Sequence, residues 1–179
     1  MKEGERVPDL DRLERMIERL LTQRACLDFA SSSIGNVSGV VLELGLGKGR
    51  TFDHLRRMFP ERELFAFDKE VHAPVDVVPD ERHLFLGDFR HTLEVAVDRL
   101  GRSAVLIHAD IGSEDKVRDE ALALAITPFI TQLAQPGGWV LSDRALVANE
   151  LVSQSLPLTV GNFAYFIYRV ESVLMNVER

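Results

Sequence analysis

The stretch Val40-Val41-Leu42-Glu43-Leu44-Gly45-Leu46-Gly47-Lys48-Gly49-Arg50 constrains the fold of this chain more than any other. It opens as a run of β-branched and aliphatic residues, the pattern of a strand buried on both faces. Three glycines follow at alternate positions, and helical spacing then takes over at Phe52, Leu55 and Phe59. Strand, glycine turn and helix make the first half of a mononucleotide-binding unit. Glycines permit positive φ and let bare backbone approach a ligand, while the helix N-terminus directs N–H groups at an anion. A tight strand–helix corner without a ligand would use the same glycines, so the rest of the chain has to decide.

Apolar runs that close on a polar or acidic residue recur at 63–68, 83–89, 104–110 and 139–143, and these read as strands two to five. Helical spacing is predicted over 90–100, with Asp88 as a candidate N-cap, and over 114–135, where Pro128 predicts a kink or break at Thr127. Residues 71–79 hold two prolines and little periodicity, so the crossover there is short or irregular. Upstream, residues 9–30 read as an amphipathic helix with Asp9 as N-cap and Leu10, Leu13, Ile17, Leu20, Leu21 and Leu27 on its apolar side. Such a helix packs on the domain edge, pairs with another copy of the chain, or forms a lid over a site. Residues 31–39 read as a polar loop. At the other end, residues 156–160 and 163–170 look like strands separated only by Gly161-Asn162, a two-residue turn that forces them antiparallel. The expected fold is α/β: a doubly wound, mostly parallel seven-stranded sheet ending in an antiparallel hairpin, with an extra N-terminal helix. It is one domain spanning residues 1–179, with its core over 40–170.

Four motifs in order (Glu43-x-Gly45-x-Gly47-x-Gly49, Asp68, Gly87-Asp88-Phe89 and the terminal hairpin) resemble the class I S-adenosylmethionine-dependent methyltransferases. A dinucleotide fingerprint would need glycine at 45, 47 and 50, and position 50 is arginine. The resemblance implies S-adenosyl-L-methionine as cofactor, with Glu43, Gly45, Leu46, Gly47 and Gly49 at its methionine end. It implies Asp68 and Lys69 at the ribose, where a carboxylate at the end of the second strand accepts from both hydroxyls. Gly87, Asp88 and Phe89 would then face the adenine, and Asp110 would complete the cofactor site. The implied reaction is methyl transfer to a nucleophile. Two rival readings use the same residues: an NAD(P)-dependent oxidoreductase, and a non-catalytic protein that keeps the fold and the ligand.

Asp110, Asp143 and His108 are the candidate catalytic residues, since strands four and five end at the same crevice. Histidine titrates near neutral pH, and His91 is a second candidate base. Cation-dependent members of the family put metal-binding acids where Asp110 and Asp143 stand, but Arg144 follows Asp143 and would repel a metal, so none is expected. Residues 110–113 read Asp-Ile-Gly-Ser and lack the amine-methylating signature. A net charge of −7 argues against a general nucleic-acid binder, which leaves a small-molecule substrate. No run is long enough to span a membrane, no leader is evident, and the single cysteine, Cys26, excludes an internal disulfide. A soluble cytoplasmic homo-oligomer is the resulting expectation.

Overall fold

The computed structural model describes residues 10–113, 115–157 and 163–172. Its strands are β1 (Val40–Leu44), β2 (Leu64–Asp68), β3 (Leu84–Leu86), β4 (Ala104–Ala109), β5 (Ala134–Ser142), β6 (Leu151–Gln154) and β7 (Phe166–Val170). They form one seven-stranded sheet in the order β3-β2-β1-β4-β5-β7-β6. The first five run parallel, and β7 is antiparallel to both β5 and β6. Chain order reverses about β1, which pairs with β2 on one side and β4 on the other. In open α/β sheets that switch point opens a crevice at the carboxyl edge.

Strand alternation divides the core into two layers. Val41, Leu106 and Leu141 pack with Cys26, Leu27, Phe52 and Leu55, which belong to α1 (Arg12–Ile34) and α2 (Arg50–Met58). Leu42, Phe67, Ile107 and Val140 face the other way, onto Leu93, Ile126 and Ile130 of α3 (Phe89–Leu100) and α4 (Lys116–Leu133). Each fully buried Leu, Ile or Phe contributes about 1.5–3 kcal/mol, so both faces of the sheet are firmly covered. The doubly wound sheet, its antiparallel end and the N-terminal helix agree with the sequence expectation, and residues 71–79 form turns rather than a helix.

Several details differ. Helix α1 starts at Arg12, and its N-cap is Asp11, which exchanges two hydrogen bonds of 2.8 Å with Glu14 in a capping box. Asp9 lies outside the described residues. The helix continues to Ile34, so its buried stripe is Gln23, Cys26, Leu27, Ala30 and Ile34, while Leu13 is 67% exposed. Pro128 does not break α4. The carbonyl of Leu124 loses its partner, but Leu124 is 72% exposed and water can reach it. Helix α4 ends at Leu133, and Pro136-Gly137-Gly138 belongs to β5 where its ladder with β4 shifts register. The strand paired with β7 is residues 151–154, not 156–160. Leu156 and Pro157 are outside any strand, and residues 158–162 lie outside the described residues.

Candidate functional site

The ends of β1 and β4 meet closely at the carboxyl edge: the Asp110 N–H donates to the Leu44 carbonyl at 2.9 Å, and the Gly45 N–H to Phe67 at 2.8 Å. Gly45 has φ 99°, and a Cβ there would drive into the Asp110 carbonyl. Gly49 caps α2, and a Cβ on it would stand 2.5 Å from Val77 Cγ1. Only Gly47 faces open space, and its N–H donates to Asp68 Oδ2 at 2.7 Å. Chain packing therefore requires glycine at 45 and 49, whereas Gly47 leaves room in the crevice.

That crevice is a cleft of about 340 Å³, within the size range of small-molecule sites. Of the residues singled out in the sequence, Gly45, Leu46, Gly47, Asp68, Phe89 and Asp110 line it. Asp68 ends β2, and its other oxygen accepts the Lys69 N–H at 2.6 Å. Gly87, whose N–H bonds the Asp68 carbonyl at 2.8 Å, stands outside the lining. So do Lys69 and Asp88, half-exposed, with Lys69 Nζ 3.7 Å from Asp88 Oδ2. Asp88 caps α3 by accepting the Arg90 N–H at 3.0 Å. The opposite wall is α1, which supplies Met16, Arg19, Leu20 and Gln23, and Arg19 Nη2 donates to Asp110 Oδ1 at 2.5 Å.

Beneath the cleft lies a buried acid–imidazole pair. Glu43 and His108 are register partners on β1 and β4, both point toward the α1–α2 layer, and neither has any exposed surface. His108 Nδ1 sits 2.6 Å from Glu43 Oε2, and the Thr51 hydroxyl donates to the other Glu43 oxygen. Burial pushes the Glu43 carboxyl above its usual range despite the opposing pull of His108. Burial alone would lower His108, but Glu43, aided by Asp110 and Asp143, outweighs it and holds the imidazole above its ordinary value. His108 Nε2, the Tyr165 hydroxyl and Gln23 Nε2 are buried polar atoms without a partner among the described residues. His108 does not line the cleft, and His91 is exposed on α3, away from it.

Beside the cleft, Asp143 accepts the N–H groups of Ile111 at 3.1 Å and Gly112 at 2.9 Å, pinning the loop after β4. Arg144 bonds Asp143 at 3.2 Å and Asp119 at 2.6 Å, and Asp119 also takes the Ser113 N–H and hydroxyl at 2.7 Å each. Burial and then Asp110 raise the Asp143 carboxyl; burial would raise Asp119 too, but Ser113 and Arg144 outweigh it and hold Asp119 low. Arg19, Gln23, Thr51 and Asp119 were not evident from the sequence. Arg19 and Gln23 become visible only once α1 is known to cross the carboxyl edge.

A doubly wound sheet with an antiparallel last strand and a cleft at its glycine turn defines a nucleotide-type cofactor protein. Residues 10–170 match the family model described as S-adenosyl-L-methionine methyltransferase. The structure is similar to that of an S-adenosyl-L-methionine methyl transferase from Silicibacter pomeroyi, at 37% identity over 90% of this chain and 99% of that one, with a TM-score of 0.85. In fold alone it is similar to human methyltransferase-like protein 13, at 11% identity over 89% and 83% of the two chains, with a TM-score of 0.58. It also shares its fold with a 16S rRNA (adenine(1408)-N(1))-methyltransferase from Catenulisporales acidiphilia, at 10% identity over 82% and 91%, with a TM-score of 0.50. No curated protein matches the sequence. The chain belongs to the S-adenosyl-L-methionine methyltransferase family. It is an S-adenosylmethionine-dependent enzyme, and the oxidoreductase and non-catalytic readings fall away.

Proposed function

We propose that S-adenosylmethionine occupies the cleft between the glycine turn and α1, and that its methyl group passes to a small molecule held beside it. The observation that carries this reading is the convergence of Gly47, Asp68, Phe89 and Asp110 on one side of a single cleft with Gln23 on the other. The donor set fits the cofactor. Gln23 Nε2 is a buried donor with no partner among the described residues, suited to the cofactor's carboxylate. Asp68, already fixed by the N–H groups of Gly47, Lys69 and Glu70, has a lone pair left for the ribose hydroxyls. Phe89 offers a ring wall for the adenine, with Gly87, Asp88 and Lys69 at its edge. Glu43 acts from below, holding Thr51 and His108 rather than touching the ligand.

When bound, the cofactor supplies a methyl group on a sulfonium, transferred by in-line displacement. The residues of this chain contribute alignment and exclusion of water, which such a step needs most. Arg19, bridged to Asp110, closes α1 over the cleft as a lid. The exposed Leu13, Ile17 and Leu21 on α1 support a homo-oligomer, which a sedimentation run checks. Calorimetric titration with S-adenosylhomocysteine tests the site. Micromolar binding, about −8 kcal/mol, is expected, and Asp68→Ala should weaken it at least about tenfold. Unchanged affinity in the variant would move the ribose elsewhere.

A further inference from the structure

Next to the cofactor cleft is a second cavity of about 570 Å³, which shares Met16, Arg19 and Gly112 with it. Its walls carry five cations, Arg12, Arg15, Arg19, Lys116 and Arg144, against one carboxylate, Asp143. The chain as a whole has a net charge of −7, so this concentration runs against the general balance. Arg19 is matched by Asp110, and Arg144 by Asp119 and Asp143. Arg12 and Lys116 have no carboxylate partner among the described residues. Each occupies the first helical position of its element, α1 and α4 respectively. Helix N-termini already carry partial positive charge and favour acids there. Cations placed on both, facing one cavity, cost local stability, and an anion between them would reverse that cost. Lys116 is followed by Glu120 one turn on and preceded by Asp115, but Asp115 is committed to the Arg118 N–H as N-cap.

We propose that the methyl acceptor is a small acid whose carboxylate or phosphate group is held between Arg12 and Lys116, with Arg144 fixing the adjoining wall. The assignment rests on the neighbouring cleft being the cofactor site, since the shared wall is what brings the acceptor to the methyl group. The acidic balance of the chain as a whole favours a small molecule over a polynucleotide, which needs a basic face tracking its backbone.

The test is an amide NMR titration of the full chain at low ionic strength, with and without S-adenosylhomocysteine, using inorganic pyrophosphate, succinate and the uncharged 1,4-butanediol. Saturable shifts at Gly112, Ser113 and Lys116 are expected with either anion and not with the diol. The variant Arg12→Gln with Lys116→Gln should weaken anion binding about tenfold and leave S-adenosylhomocysteine affinity unchanged. Both side chains are exposed, so the variant keeps the fold. Pyrophosphate alone shifting these amides makes the acid a phosphate, and succinate alone a carboxylate. Absence of saturable shifts, or shifts that persist in the variant, overturns the proposal. Tighter saturation by an RNA hairpin than by either anion also overturns it and assigns the surface to nucleic acid. Failure of S-adenosylhomocysteine to bind overturns the cofactor assignment instead, while the anion arms remain readable on the unliganded chain.

Discussion

Two buried acid–base assemblies support the cleft, and they are built on opposite principles. Glu43–His108 lies beneath it with no access to water, and its cation exists only while imidazole holds a proton. Asp119–Arg144–Asp143 lies beside it, and its guanidinium is charged at every accessible pH. The first links two neighbouring strands at one register position; the second links the loop after β4, the first turn of α4 and the end of β5. The lesson is that the cation in the floor of the site can be titrated away and the cation in its side wall cannot.

Substitution breaks that comparison most severely at the floor. His108→Leu leaves Glu43 buried with only the Thr51 hydroxyl, and a loss of about 3–5 kcal/mol is expected in denaturant unfolding. At the wall, Arg144→Leu leaves Asp119 its two Ser113 bonds and Asp143 its two backbone donors, so the loss should be smaller, about 2–3 kcal/mol. If Arg144→Leu proves costlier than His108→Leu, the ranking of the two assemblies is wrong.

The gentlest test is pH alone. His108 is raised above its unfolded value, so the stability it lends is complete below about pH 6.5 and is lost as pH rises through the folded value. Glu43, also raised, moves stability in the same sense, because deprotonation strands a charge without water. At the wall, Asp119 is lowered, so its contribution is present above its unfolded value and is lost only as strong acid protonates it. Melting temperature should therefore fall as pH rises above about 6.5 in the wild type and in Arg144→Leu alike. In Glu43→Gln the slope should flatten, and an equal slope there would exclude the floor as its source.

The cleft at the glycine turn was visible in the sequence, because a buried run, a glycine turn and acids at strand ends are local signals. Asp68 ends β2 as the strand pattern placed it, whereas Phe89, read as the end of a strand over 83–89, is the first residue of α3, because β3 stops at Leu86 and Asp88 caps the helix. The Glu43–His108 contact was within reach: both lie two residues before the edge, and β1 neighbours β4 in this kind of sheet. The start of α1 was also written plainly as Asp11-Arg12-Leu13-Glu14, a capping box. At the C-terminal end, Pro157 argues against a strand through Leu156 and Pro157, and the strand beside β7 is Leu151–Gln154. The basic cavity beside the cleft was not legible. Arg12, Lys116 and Arg144 come from three elements far apart in sequence, and only the packing of α1 across the edge brings them to one cavity.

That packing is uneven along one helix. From Thr22 onward α1 is embedded in the core, whereas residues 12–17 are exposed and hold the cleft mainly through Arg19 and Asp110. Local unfolding free energy follows burial, so the first two turns can fray while the remaining four stay fixed to the sheet. On the proposed placement of the cofactor against α1, melting of this end rather than a swing of the whole helix would admit a ligand and leave undisturbed the core that the rest of α1 helps to build.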